Sequence, residues 1–145
     1  MITNPTEIYF KDGLWGHDGT QWRRLNLLWG FYDSIAENIA VASATAGTNT
    51  LLGSVVPAGE VWVVTVMGAQ DTTHAPSEIQ LGASIKSIAV YGADDATPAA
   101  AVWSSAFCNI VLAAGDRIRA QILGCTLNDN LLLRYAGYKM KINLG

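Results

Sequence analysis

Reactive side chains are scarce in this sequence, and their scarcity excludes several kinds of chemistry. Among 145 residues only 14% are charged, with two histidines, two cysteines and four prolines. A histidine-rich metal site needs a spaced cluster, which His17 and His74 alone cannot supply. Ser77 and Asp71 lie near His74 in the loop DTTHAP, but no nucleophile elbow surrounds them, so a Ser-His-Asp triad is not expected. No phosphate-cradling G-x-x-x-x-G-K-[ST] occurs, and no G-x-G-x-x-G opens a helix. Asp94 and Asp95 are adjacent in GADDATPAA, yet no spaced Asp/Asn ladder accompanies them to complete a calcium shell. TLNDN, from Thr126 to Asn130, is a cluster of ordinary turn formers. The expectation is a non-enzymatic chain without a cofactor.

Long apolar runs are missing too. Nothing approaches the 18 or so uninterrupted apolar residues of a membrane-spanning helix. The start, MITNPTEIYF, has neither a basic n-region nor an apolar h-region and is not expected to be a secretory signal. A net charge of −3 argues against nucleic acid, because neutralising several phosphates needs a concentrated basic face. Cys108 and Cys125 each sit in an apolar stretch without C-x-x-C spacing. They read as buried free thiols, with a disulfide between adjacent strands as the alternative.

What the chain does have is grease. Half of its residues are hydrophobic, enough for a domain of this length to bury a core and still cover area against copies of itself. The charges are unevenly placed. From Asn38 to Gly115 the one lysine or arginine is Lys86, against Glu60, Asp71, Glu78, Asp94 and Asp95; after Asp116 five bases face Asp129 alone. Such polarity could align neighbouring copies, but solvated strand faces with no partner are the favoured reading.

Two regions follow from the pattern. Residues 1–37 form an aromatic-rich arm holding Trp15, Trp22 and Trp29. Its Asp12-Gly13 and Asp18-Gly19 steps predict one or two small hairpins. So short a hairpin cannot stabilise itself in water and must dock on something. After it, LLWGFYDSIAENIA offers helical spacing for one or two turns. From Ala42 to Asn49 the chain is small and polar, as in a linker or crossing segment. Residues 38–145 then carry about seven short apolar runs between turns: TNTLLGSV, EVWVVTVMGAQ, EIQLGASI, KSIAVYG, AVWSSAFCNIVL, DRIRAQILGCT and NLLLRYAGYKMKI. In EIQLGASI, Ile79, Leu81, Ala83 and Ile85 alternate with polar residues; in DRIRAQIL, Ile118, Ala120 and Ile122 oppose Arg117, Arg119 and Gln121. In VWVVTVM both faces are apolar, Val61, Val63 and Met67 on one and Trp62, Val64 and Val66 on the other. Such a strand is buried on both sides. No helical stretch separates the runs, so the fold class is all-β and antiparallel.

Trp62, and Trp103 with it, read as core. The arm aromatics then remain as contact candidates, and Trp, Tyr and Arg dominate binding energy at protein interfaces. The expected partner-binding set is Trp15, Trp22, Arg23, Arg24, Trp29, Phe31 and Tyr32.

Two stretches carry a family resemblance. LWGHDGTQWRRLNLLWG, Leu14 to Gly30, resembles short aromatic hairpins of tailed-phage virion proteins, often found near the N-terminus of fibre or head-associated subunits. The ending LAAGDRIRAQILGCTLNDNLLLRYAGYKM resembles the last strands of jelly rolls of the tumour-necrosis-factor type, which commonly assemble as trimers. Together they imply an antiparallel jelly-roll sandwich of about eight strands with an N-terminal hairpin arm. They further imply a homotrimeric virion protein assembled in the host cytoplasm, its partner the major capsid protein or another virion subunit. The small polar loops GADDATPAA and QDTTHAPSE favour a capsid decoration (cement) subunit; the alternative is a tail-fibre or spike domain that binds host carbohydrate.

Overall fold

The computed structural model describes residues 15–17, 22–24 and 31–141, with residues 15–17, 22–24, 31 and 32 described as backbone. The chain divides into two compact units, Met1–Gly30 and Phe31–Gly145. In the first, β1 (Trp15–His17) and β2 (Trp22–Arg24) run antiparallel, with Trp15 opposite Arg24 and His17 opposite Trp22. Both Asp-Gly steps expected to turn the chain lie outside the described residues.

The second unit is all β. Its strands are β3 (Phe31–Val41), β4 (Gly47–Leu52), β5 (Glu60–Asp71), β6 (Glu78–Ile85), β7 (Ile88–Asp95), β8 (Ser104–Leu112), β9 (Arg117–Cys125) and β10 (Leu131–Lys141). They form two four-stranded antiparallel sheets, ordered β3-β10-β5-β8 and β4-β9-β6-β7. The sheets pack as a sandwich around one apolar layer that includes Leu51, Trp62, Met67, Ile79, Ile118, Ile122, Leu131 and Leu133. Alternation puts them there: Ile79, Leu81 and Ala83 of β6 and Ile118, Ala120 and Ile122 of β9 are all buried, as expected from their period of two. Cys125 is buried and Cys108 half-buried, both as free thiols.

Three expectations are corrected. The helical turns expected in LLWGFYDSIAENIA give way, from Phe31 onward, to the long strand β3, paired along its whole length with β10. Against β10 the register of β5 shifts between Val64 and Val66, so Thr65 is an extra residue there, whereas on the other side Cys108 and Asn109 of β8 together face Thr65. This bulge moves Met67 to the core face with Trp62 and Val64, and leaves Val61, Val63 and Val66 on the other face. KSIAVYG does not begin as a strand either. Lys86 and Ser87 have φ of 48° and 66° and make a two-residue turn between Ile85 and Ile88, which pair directly. Positive φ at both central residues is the geometry whose twist matches the flanking strands.

A buried carboxylate ties the loops at one end and backbone bonds tie them at the other. At one end Asp116 accepts from the N–H groups of Lys86 at 2.9 Å and Ala113 at 3.0 Å, while its own carbonyl accepts from Val56 N. The loops β4–β5, β6–β7 and β8–β9 are thereby joined. At the other end Ala44 N donates to Asp129 O, Thr72 N to Asn130 O and Ala101 N to Asp71 O, joining the loops β3–β4, β5–β6, β7–β8 and β9–β10.

Candidate functional site

The two sheets end, on one flank, in the edge strands β7 and β8. Ser104 Oγ at the start of β8 donates to Asp95 Oδ2 at the end of β7, 2.6 Å away, closing the flank at one corner. Strand β8 alternates strictly, with Ser104 and Leu112 buried and Ser105, Phe107, Asn109 and Val111 exposed. Phe107 is 94% exposed. Of the seven large hydrophobic residues exposed among those described, five lie on this flank: Ile88 and Val90 on β7, Val102 before β8, and Phe107 and Val111 on it. No residue of SSAFCNIVL is charged, and on β7 the acids come only at the end, Asp94 and Asp95. Edge strands that face water are usually guarded by lysines or other charges; this pair is not.

The apolar flank continues across the outer face of β3-β10-β5-β8. Ala36, Ala136, Val66 and Phe107 form one cross-strand row, and Ser34, Tyr138, Val63 and Val111 another. Val63 is buried although it lies outside the core layer. The first row supplies Ala36, Ala136 and Val66 to a groove of about 510 Å³ whose lining also includes Asn38, Gly68, Ser105, Arg134 and Trp103. Arg134 lies over the Trp103 ring, 4.8 Å from its centroid, and its Nε donates to Asn38 Oδ1 at 2.9 Å. With its amide oxygen toward the indole, Gln70 accepts from Trp103 Nε1 at 3.2 Å. Trp103, expected in the core, is half-exposed because it precedes β8 and its ring is held between Gln70 and Arg134.

Elsewhere the polar groups serve the loops. Asp95 is held below the usual carboxylate range by Ser104 and by Thr97 N, which donate one to each of its oxygens. His74 Nδ1 lies 2.5 Å from Asp129 Oδ1, and that contact raises its pKa. Ser77 is engaged through its backbone N–H with Leu123 O, and no contact joins its hydroxyl to His74. Among the described residues no group of three or more His, Cys, Asp or Glu is placed to hold a metal ion.

Of the expected partner-binding residues, Trp15 lies on β1, Trp22, Arg23 and Arg24 on β2, and Phe31 and Tyr32 open β3. Trp29 lies outside the described residues. The sequence reading missed Phe107 and its neighbours. The available signal was parity: in SSAFCNIVL the phenylalanine shares its alternation with Ser105 and Asn109, an aromatic on the wet side. No protein-family model matches the sequence, and no curated protein matches it.

Proposed function

We propose that this chain is a non-enzymatic structural subunit of a bacteriophage virion, a capsid decoration protein that assembles as a homotrimer and acts without a cofactor. The observation that carries the reading is the flank of β7 and β8, charged only at Asp94 and Asp95, where five large hydrophobic side chains stand in solvent. Patches of that kind mark contact surfaces. Its occupant in this reading is a second copy of the chain, because the composition favours self-association and a flank charged only at one corner can be covered by a neighbouring copy without burying many unpaired charges. The strand order supports a jelly roll: each sheet interleaves early and late strands, β3 with β10 and β4 with β9, as two Greek keys folded over each other do. The aromatic arm, with Trp15, Trp22, Arg23, Arg24, Trp29, Phe31 and Tyr32, then serves as the anchor on the major capsid protein or a neighbouring subunit.

Two measurements test this. Light scattering on the purified full chain is expected to read three times the 15.5 kDa chain mass; a monomer at high concentration overturns the assembly reading. Co-sedimentation with phage capsids that lack the protein is expected for the wild type and lost in a Trp22→Ala, Arg23→Ala, Arg24→Ala variant that remains trimeric. Equal sedimentation of that variant removes the anchoring role of the arm.

A further inference from the structure

The groove on the outer face of β3-β10-β5-β8 carries polar groups that an apolar copy-to-copy contact does not need, Arg134, Asn38 and Ser105. Its floor is shallow because small residues meet there: Ala36 opposite Ala136, and Gly68 opposite Ser105. Its cation is Arg134, and no carboxylate among the described residues pairs with it. Glu37, the one acid among the residues that line the groove, has its carboxylate engaged by Tyr135 and Ser54. The guanidinium is held in place, stacked on Trp103 and fixed through Nε to Asn38, which leaves both Nη groups for a ligand. A planar, immobilised guanidinium with two free donors suits bidentate recognition of a carboxylate.

We propose that this groove binds a carboxylate-bearing pyranose, a uronic-acid type residue of a glycan. The carboxylate would pair with Arg134, and the ring's C–H face would rest on the alanine and glycine floor. Asn38 offers its Nδ2 donors, since its Oδ1 already serves Arg134, and Ser105 offers its hydroxyl to the sugar's hydroxyl groups. A peptide fits less well. Recognition of an extended peptide draws on unpaired backbone at a sheet edge. The groove crosses the middle of a sheet, where β10 and β5 are paired on both sides. A sugar needs no backbone partner. The inference stands on the groove alone and is independent of the virion reading.

The test is titration of the full chain with trigalacturonate, with uncharged trigalactose and with a glutamate-rich hexapeptide, followed by tryptophan fluorescence and calorimetry. Trigalacturonate is expected to bind and perturb the emission, and trigalactose to bind about tenfold or more weakly. Arg134→Gln is expected to abolish the difference between the two sugars while melting like the wild type, because the side chain is exposed. If that variant fails to fold, Arg134→Lys, which keeps the charge and loses the planar fork, is expected to weaken trigalacturonate about tenfold, and Asn38→Ala to weaken it as well. The proposal is overturned by no binding up to about 10 mM, by equal affinity for the two sugars, by full affinity in the Arg134 variants, or by tighter binding of the acidic peptide.

Discussion

Asp71 and Asp129, from the ends of two different loops, bring their carboxyl groups together with no solvent exposure of either residue. Two adjacent buried carboxylates cannot both ionise cheaply, so their affinities for a proton are driven apart. Burial and the neighbouring charge push Asp71 up, against the pull of the Thr73 and His74 N–H groups. Burial opposes ionisation of Asp129 too, but His74, Thr126 N and Asp71 outweigh it and hold its pKa down. Of the two, Asp71 is the one whose acid form the surroundings favour. Its Oδ2 is buried without a hydrogen-bond partner, an environment that disfavours the charged form. Asp71→Asn is expected to fold within about 1 kcal/mol of the wild type, since an amide can donate and accept in the same places. Asp129→Asn, which removes the anion facing His74, is expected to melt lower. Thermal melts at pH 6 decide it: the reverse order places the proton on Asp129.

Stability is expected to fall from pH 6 to about pH 8, below the range in which the two thiols, raised by burial, titrate. His74 is raised above its ordinary 6.5 by Asp129. A raised histidine stabilises fully below 6.5, and the contribution is lost as pH rises through the folded value. Asp71, raised from 3.8, has a fold preference for its proton that also fades as pH climbs through its folded value. Asp129, lowered from 3.8, acts in the opposite sense: its contribution is lost only as pH falls below 3.8. His74→Gln is expected to flatten the melting temperature between pH 6 and 8. An unchanged slope in that variant assigns the pH dependence to another group.

Tyr135 carries its hydroxyl from the core to Glu37, and Ser54 N donates to both oxygens, at 3.1 Å to Glu37 Oε2 and 3.2 Å to Tyr135 Oη. Burial, with Glu37 beside it, pushes the phenol far up. Glu37 is held below the usual range because these bonds outweigh its partial burial. Tyr135→Phe is expected to cost about 1–2 kcal/mol, and the combined Tyr135→Phe, Glu37→Ala variant less than the sum of the two single changes. Denaturant melts of the four proteins measure the coupling. Strict additivity means that the contact contributes nothing.

That same pair explains why β3 was hard to read in the sequence. Ile35 and Ile39 are four apart, a spacing that satisfies a helix and a strand alike, and the residue between them on the core side is Glu37. An acid at an inward position breaks the expected alternation, and its partner is almost a hundred residues away in β10. Strands β6 and β9, whose inward residues are all apolar, were legible to within a residue or so. The extra Thr65 in β5 was not, because a bulge is defined by neighbouring strands that local sequence does not name. The Asp71 and Asp129 pairing was hidden for the same reason, and the groove too, since Trp103, Arg134 and Asn38 come from three separate segments.

Lys86 and Ser87 occupy a turn that asparagine and glycine fill with less strain, since side chains crowd the backbone at positive φ. Asp116 compensates by accepting Lys86 N. Lys86→Asn with Ser87→Gly is expected to raise stability by about 1–2 kcal/mol without altering the fold. Chemical denaturation measures it, and a loss of stability shows that the lysine side chain makes a contribution beyond the turn.

Phe107 separates folding from association. Its side chain stands almost wholly in solvent, so in the isolated chain its removal takes nothing from the core. Phe107→Asp together with Val111→Lys is therefore expected to leave monomer stability within about 0.5 kcal/mol per site. At a copy-to-copy contact the same changes bury unpaired charges, which costs several kcal/mol where the charges lack partners. The variant is expected to sediment as a monomer at concentrations where the wild type is a trimer. Melting and sedimentation of the two proteins side by side distinguish the cases: a variant that stays trimeric moves the interface away from β7 and β8, and one that unfolds shows that Phe107 is sheltered within the single chain.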